Sequence, residues 1–186
     1  MTTPSHVAIR PATVDDADTL VDAWVALAEE QRRHGSQLLP EPNRTAVRED
    51  LSRRAVLGEA LVARLTDDAR TDADETVSTV KDVAPGEFDD DSGLPSTFVG
   101  FVSFGLSVDG FERSVVRGVV HNLYVRPDAR SAGVGAAILS AAETVLRKSG
   151  AERVSLEALA GNERALDFYR RHGYGDHRVE LEKPLD

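Results

Sequence analysis

One stretch limits what this chain can become more than any other. From Val115 to Val125 the residues are almost all apolar, the pattern of a central strand buried on both faces of a sheet. Arg126 to Gly135 then makes a turn of small and charged residues. Beyond it Val134, Ile138, Ala141 and Val145 fall on one helical face, Arg147 and Lys148 close the last turn, and Gly150 stops it. A strand leading through a glycine-rich turn into a helix is an α/β arrangement. It is also a chemical one, because the first turn of a helix carries N–H groups with no internal partner and the positive end of the dipole. Gly133 and Gly135 remove the Cβ atoms that would keep an anion from the backbone, while Arg126 and Arg130 add positive charge. The turn therefore reads as an anion cradle, most simply for a pyrophosphate. No Gly-Lys-Ser/Thr follows, and the third glycine and later acid of a dinucleotide fingerprint are missing. A Gly-x-Gly helix start also serves tight helix–strand packing, so the turn alone does not decide.

The rest of the chain supplies a sheet and helices around this unit. His6 to Arg10 alternates as a first strand ended by Pro11, and Thr13 to Asp16 has the form of a helix N-cap. Leu20, Val21, Trp24, Leu27 and Ala28 stripe the helix that follows, which runs out near Arg33 to Gly35. The loop 36–43 holds two prolines, and a second helix is expected over Thr45 to Leu57 with Gly58 as its stop. Ala60 to Leu65, Thr97 to Leu106 and Arg153 to Ala158 read as strands. Asn162 caps a short helix through His172, and His177 to Glu182 reads as a terminal strand. With no internal repeat, residues 1–186 are expected to form a single α/β domain on a mixed sheet.

Charge is distributed unevenly. Of the net −10, ten acids against two bases lie between Thr66 and Ser96, a stretch with two prolines and few large apolar residues. It is expected to be an acidic, mobile loop insertion at about 66–96. An acidic chain without a basic stripe is poorly suited to nucleic acid. No run of about 18 apolar residues suggests a membrane span, and the opening residues lack a signal-peptide layout, so a cytoplasmic protein is expected. The absence of cysteine excludes disulfides, thiolate catalysis and thiolate-bound metal, and no His/Glu spacing supports another metal site.

Two motifs narrow the reading further. Leu123 to Gly135, with Arg130, Gly133 and Gly135 at the core positions, resembles the Arg/Gln-x-x-Gly-x-Gly/Ala acetyl-CoA motif of the Gcn5-related N-acetyltransferase (GNAT) family. Ser131 stands where many members have glycine. Asn162 to Tyr174 resembles the same family's Asn-x-x-Ala-x-x-Phe-Tyr-x-x-x-Gly-Phe/Tyr segment, and Ile9-Arg10-Pro11-Ala12-Thr13 is similar to its opening. The resemblance implies a mixed sheet whose parallel strands splay apart near Leu123–Val125. Acetyl-CoA would lie in that gap, its pantetheine arm against the backbone of Leu123, Tyr124 and Val125. Its pyrophosphate would rest on the amides of Arg130, Ser131, Ala132, Gly133, Val134, Gly135 and Ala136, and Asn162 would contact the arm.

The same resemblance implies transfer of acetyl from acetyl-CoA straight to an amine, with no acyl-enzyme. Tyr169 is the expected general acid, and an amide near Tyr124 or Val125 the oxyanion donor. For the base, His121 occupies the strand position where many relatives have glutamate; Glu157 and water are the alternatives. Glu30 and His34 are expected either to line the acceptor pocket or to sit in solvent. A non-catalytic acyl-CoA-binding module is the competing reading, and a homodimer paired through the terminal strand is a further expectation.

Overall fold

The computed structural model describes residues 5–66, 78–83, 93–107 and 114–185. Strand β1 (Ser5–Pro11) leads through one 3₁₀ turn (Val14–Asp16) into helix α1 (Ala17–Arg32), which is followed by α2 (Arg44–Val56). Strands β2 (Ala60–Thr66), β3 (Ser78–Val83), β4 (Phe98–Leu106) and β5 (Arg117–Val125) come next. Helix α3 (Val134–Lys148), the short strand β6 (Arg153–Leu156) and helix α4 (Glu163–Arg171) complete the fold. The six strands form one mixed sheet in the order β3-β1-β2-β4-β5-β6. All neighbours are antiparallel except β5 and β6.

Two apolar clusters occupy the two faces of the sheet. On one, α3 lays Val134, Ile138, Leu139, Ala142 and Leu146 against Val99, Val102 and Val120. On the other, α1 and α2 bring Leu20, Trp24, Ala28 and Leu51 against Val62, Phe98, Phe101 and Tyr124. Side chains alternate along a strand, so β4, with Phe98 to Gly105 buried, feeds both clusters and is the true two-faced central strand.

The expected elements recur with shifted ends, and three expectations need correction. Within the stretch read as a loop, Ser78–Val83 pairs antiparallel with β1 as an edge strand; the rest of the acidic insertion lies outside the described residues. Strand β5 is not buried throughout, for His121 is exposed and Asn122, Leu123 and Val125 are only half-buried. The terminal strand His177 to Glu182 is absent: 175–185 take no regular structure, and Val179 and Leu181 are 81% and 89% exposed. Their alternation suits a strand, but no neighbouring strand in the described residues pairs with them, and the pairing edge expected for a dimer is not formed.

The feature that makes a site lies between β5 and β6. Their parallel pairing runs from Arg117↔Arg153 to Val120↔Leu156 and ends there, because β6 has four residues and β5 nine. A β-bulge marks the same point: Ser103 faces Asn122, Phe104 faces Val120, and His121 is the extra residue. Beyond it, β5 continues with one edge paired to β4 and the other free. The Arg126 N–H donates to Val99 O at 2.9 Å, so by alternation Tyr124 and Asn122 spend their backbone groups on β4. Leu123 and Val125 turn theirs into the cleft.

Candidate active site

The cleft opens onto the start of α3. Ser131 has φ 69° and Gly133, the N-cap, φ 80°. Such left-handed positions within one turn aim successive N–H groups into a common hollow. Glycine takes that conformation freely, whereas Ser131 holds it at a cost of about 1 kcal/mol. No side chain caps the helix. The first amide re-entering the helical ladder is that of Ala137, which donates to Gly133 O at 3.1 Å. The N–H groups of Val134, Gly135 and Ala136 are thus left without helical acceptors. A Cβ built on Gly133 meets nothing within 4 Å, so that position faces open space.

From this hollow a cavity of about 350 Å³ runs along the free edge of β5. Leu123, Tyr124, Val125, Arg130, Ser131, Gly133, Gly135 and Ala136 line it from the strand and turn. Helix α4 faces them with Arg164, Ala165, Phe168, Tyr169, Arg171 and His172, and α1 closes one side with Leu27, Glu30 and Gln31. Asn162 lines the cavity as well. It is also the N-cap of α4, where its Oδ1 accepts from the Ala165 N–H at 3.1 Å. Ala132 and Val134, expected in the cradle, belong to the turn but not to the cavity wall; Val134 is buried in the core.

Tyr169 stands half-buried across the groove, its ring edge-on to Phe168 and Tyr174. Burial pushes its phenol up to about 12, so the hydroxyl keeps its proton at any physiological pH. The Tyr174 hydroxyl donates to Glu143 at 2.8 Å, which ties the end of α4 to α3.

Several expected residues lie elsewhere or act differently. His121 sits in the bulge, outside the cavity wall. Although its surface is open on one side, partial desolvation, then the positive charge of Arg54, lowers its imidazole below the usual histidine value, with Asp50 opposing. Glu157 is exposed and also outside the wall. Of the two amides expected to meet an oxyanion, only that of Val125 faces the cleft. Arg126 does not supply free charge to the cradle: it is buried to 2% exposure and bonds to Asp128 and to Pro95 O. Arg130 is engaged too. Its two terminal nitrogens donate to Glu30 at 2.6 and 2.5 Å, and its Nε donates to Val125 O at 2.9 Å. Glu30 is therefore neither idle in solvent nor free for an acceptor. Hydrogen bonding from Arg130 first, then the nearby charges of Arg130, Arg164 and Arg33, holds its carboxyl below the usual range against the opposing effect of burial. His34 bonds through Nδ1 to Gly161 O at 3.1 Å, joining the end of α1 to the loop before α4.

Sequence reasoning missed the basic lining of α4. Arg164, Phe168, Arg171 and His172 recur at helical spacing on one face, and that periodicity, counted from Asn162, was the available signal. The Glu30–Arg130 pair joins positions 100 residues apart and leaves no local trace in the sequence. Among the described residues, no group of three or more His, Cys, Asp or Glu side chains is placed to hold a metal ion, and no helix is long and apolar enough to cross a membrane.

Comparison with known proteins agrees with this geometry. Residues 86–174 match the sequence profile of the acetyltransferase (GNAT) family. An uncharacterised N-acetyltransferase of Methanocaldococcus jannaschii is 32% identical over 82 residues, which cover 44% of this chain; the match spans only 36% of that relative's length. A solved GCN5-related N-acetyltransferase of Ralstonia eutropha shares the fold at TM-score 0.64 and 20% identity, over 96% of this chain and 98% of its own. The PaiA N-acetyltransferase of Thermoplasma acidophilum, solved in complex with coenzyme A, does so at TM-score 0.64 and 18% identity, over 94% and 92%. Both motifs thus lie in order within residues 86–174, the part of the chain that matches the GNAT family, on a fold shared with solved N-acetyltransferases over nearly its whole length.

Proposed function

We propose that this protein transfers the acetyl group of acetyl-CoA directly to a primary amine. The observation that carries the reading is the uncapped start of α3, whose free amides open onto the unpaired edge of β5 and lead to Tyr169. A diphosphate suits the amides of Ser131 to Ala136. An amide-bearing arm suits the backbone groups of Leu123, the Val125 carbonyl being already bonded to Arg130. The relative solved with coenzyme A supports the choice of ligand.

Bound there, acetyl-CoA supplies an acyl carbon activated as a thioester. The chain's own groups then divide the work. The Val125 N–H points into the cleft, where it can donate to a developing oxyanion. Tyr169 holds the proton that the departing thiolate takes as the C–S bond breaks and the C–N bond forms. The proton lost by the amine goes to a base, and His121 on the sheet face of α1 and α2 is the candidate. Its lowered pKa keeps it neutral, and so able to accept a proton, to lower pH than a free histidine.

Calorimetric titration with acetyl-CoA, followed by release of free thiol with a panel of amines, tests the reading. Binding with turnover is expected; binding without turnover by any amine favours a non-catalytic acyl-CoA-binding module. Tyr169→Phe should lower kcat by about a hundredfold while leaving acetyl-CoA binding unchanged. The wild-type rate should fall on the acid side with an apparent pKa below 6.5, and His121→Gln should abolish that limb. An acid limb retained in His121→Gln would assign the base elsewhere.

A further inference from the structure

The turn that forms the cradle is held from outside itself, by α1. Between the 3₁₀ turn Pro127–Ala129 and α3 the backbone passes through Ser131 and Gly133, both left-handed. Gly133 takes this conformation freely, whereas Ser131 opposes it. The side chain of Arg130, at the start of the turn, is bonded in two directions. Its Nε donates to Val125 O, the last carbonyl of β5, and its fork grips both carboxylate oxygens of Glu30 at 2.6 and 2.5 Å. The pair is only partly open to water, with side-chain exposures of 19% for Arg130 and 33% for Glu30. Bidentate pairing of this kind sets direction as well as distance.

Glu30 is also the single carboxylate among the residues lining the cavity, where Arg130, Arg164 and Arg171 are the cations. In a cavity read as a site for a polyanion, a carboxylate should weaken binding unless it does something else. We propose that Glu30 is a positioning residue for the cofactor: it orients Arg130 so that the 130–135 backbone stays open as an anion cradle and the Val125 carbonyl is withdrawn from the free strand edge. The latter sets the register of any chain pairing with β5. It confines the accessible backbone groups to both of Leu123 and the N–H of Val125.

This inference rests on the acetyl-CoA reading, and a double-mutant cycle separates the two. Acetyl-CoA affinity is measured by calorimetry for the wild type, Glu30→Gln, Arg130→Gln and the double variant, with thermal melting as the control for folding. If Glu30 acts through Arg130, Glu30→Gln weakens binding about tenfold although it removes a negative charge from an anion site. The double variant should then bind no worse than Arg130→Gln, the signature of one coupled unit. Unchanged or tighter binding in Glu30→Gln would overturn the proposal, as would independent, additive losses. A wild type that binds no acetyl-CoA would instead sink the cofactor reading. A last arm compares pantetheine, which lacks the diphosphate. Its affinity should fall on Glu30→Gln, through the strand edge, but less than that of coenzyme A; equal losses for both would overturn the role at the cradle, and no loss for pantetheine the role at the strand edge.

Discussion

Helices α1 and α3 both begin after a strand of the same sheet, and no side chain caps the N–H groups of either, yet their surroundings are opposite. At α1 a 3₁₀ turn leads into the helix, with the Ala17 N–H on Val14 O, and a buried acid lies beside it. The Asp16 carboxylate accepts from the Thr13 N–H at 2.9 Å and from the Thr13 hydroxyl at 3.1 Å, and it pairs with Arg64 at 2.8 Å and Arg10 at 3.2 Å. It is 3% exposed. At α3 the N-cap is Gly133, no side chain reaches the free amides, and the space before them is open. The nearby Arg130–Glu30 pair neutralises itself without covering those amides. A buried acid thus lies at one helix start, where it suits the dipole, whereas the other start is open and suits an anion from outside. An anion site is marked less by positive side chains than by a helix start with open space and no acid of its own before it.

The largest expected effect breaks the end with the buried acid. Burial alone would raise the Asp16 carboxyl, but the Thr13 N–H and then Arg64 and Arg10 outweigh it and hold the pKa below the usual value. Asp16→Asn leaves two arginines facing a neutral group and should cost about 3 kcal/mol of stability, the low end for a broken buried pair because both arginines are partly exposed. Acetyl-CoA affinity should not change. Because the folded pKa is depressed, this stability is present above the unfolded value near 3.8 and is lost as pH falls through the folded one. Wild-type and variant denaturation curves should therefore converge in acid. Curves that stay parallel down to pH 2 would show that the charge is not what stabilises this end.

The next largest closes the open end. Gly133→Asp places a carboxylate where an anion is expected, and Gly133→Asn places a neutral group of the same shape. Both residues tolerate a left-handed backbone. Titration should show acetyl-CoA affinity falling by about a hundredfold for Asp, some 2.7 kcal/mol, and by only a few-fold for Asn. Equal losses would mean that space matters at this position, not charge.

Both helix ends were legible as sequence, and to different depths. Thr13 to Asp16 spells a cap because its partners lie three residues apart, and Gly133 and Gly135 spell the opposite because glycine has nothing to cap with. The splay was foreshadowed by the motif resemblance; its physical cause, a four-residue β6 beside a nine-residue β5, follows from pairing and not from any one segment. Arg130 was legible as a cation and not as a tethered one, since Glu30 reaches it across 100 residues. Arg126 was misjudged for a related reason: its burial comes from the packing of the loop at Pro95 against it, a tertiary fact. His177 to Glu182 alternates like a strand and forms none among the described residues, because period-two patterning proposes a strand and only a partner makes one.

The smallest expected effect sharpens what openness means. Ser131 sits at φ 69°, where a Cβ costs about 1 kcal/mol, and its neighbour Gly133 escapes that cost. Ser131→Gly removes the strain but gives the unfolded chain more freedom to lose, so the net gain should be small, within about 1 kcal/mol. A rise in melting temperature of a few degrees with acetyl-CoA affinity held within threefold would show that Arg130 and Glu30, not Ser131, keep the cradle in shape. A gain in stability with a clear loss of affinity would show the reverse: the turn would need the restriction that a side chain at 131 imposes, and the strain would then be part of how the open end is kept ready for its anion.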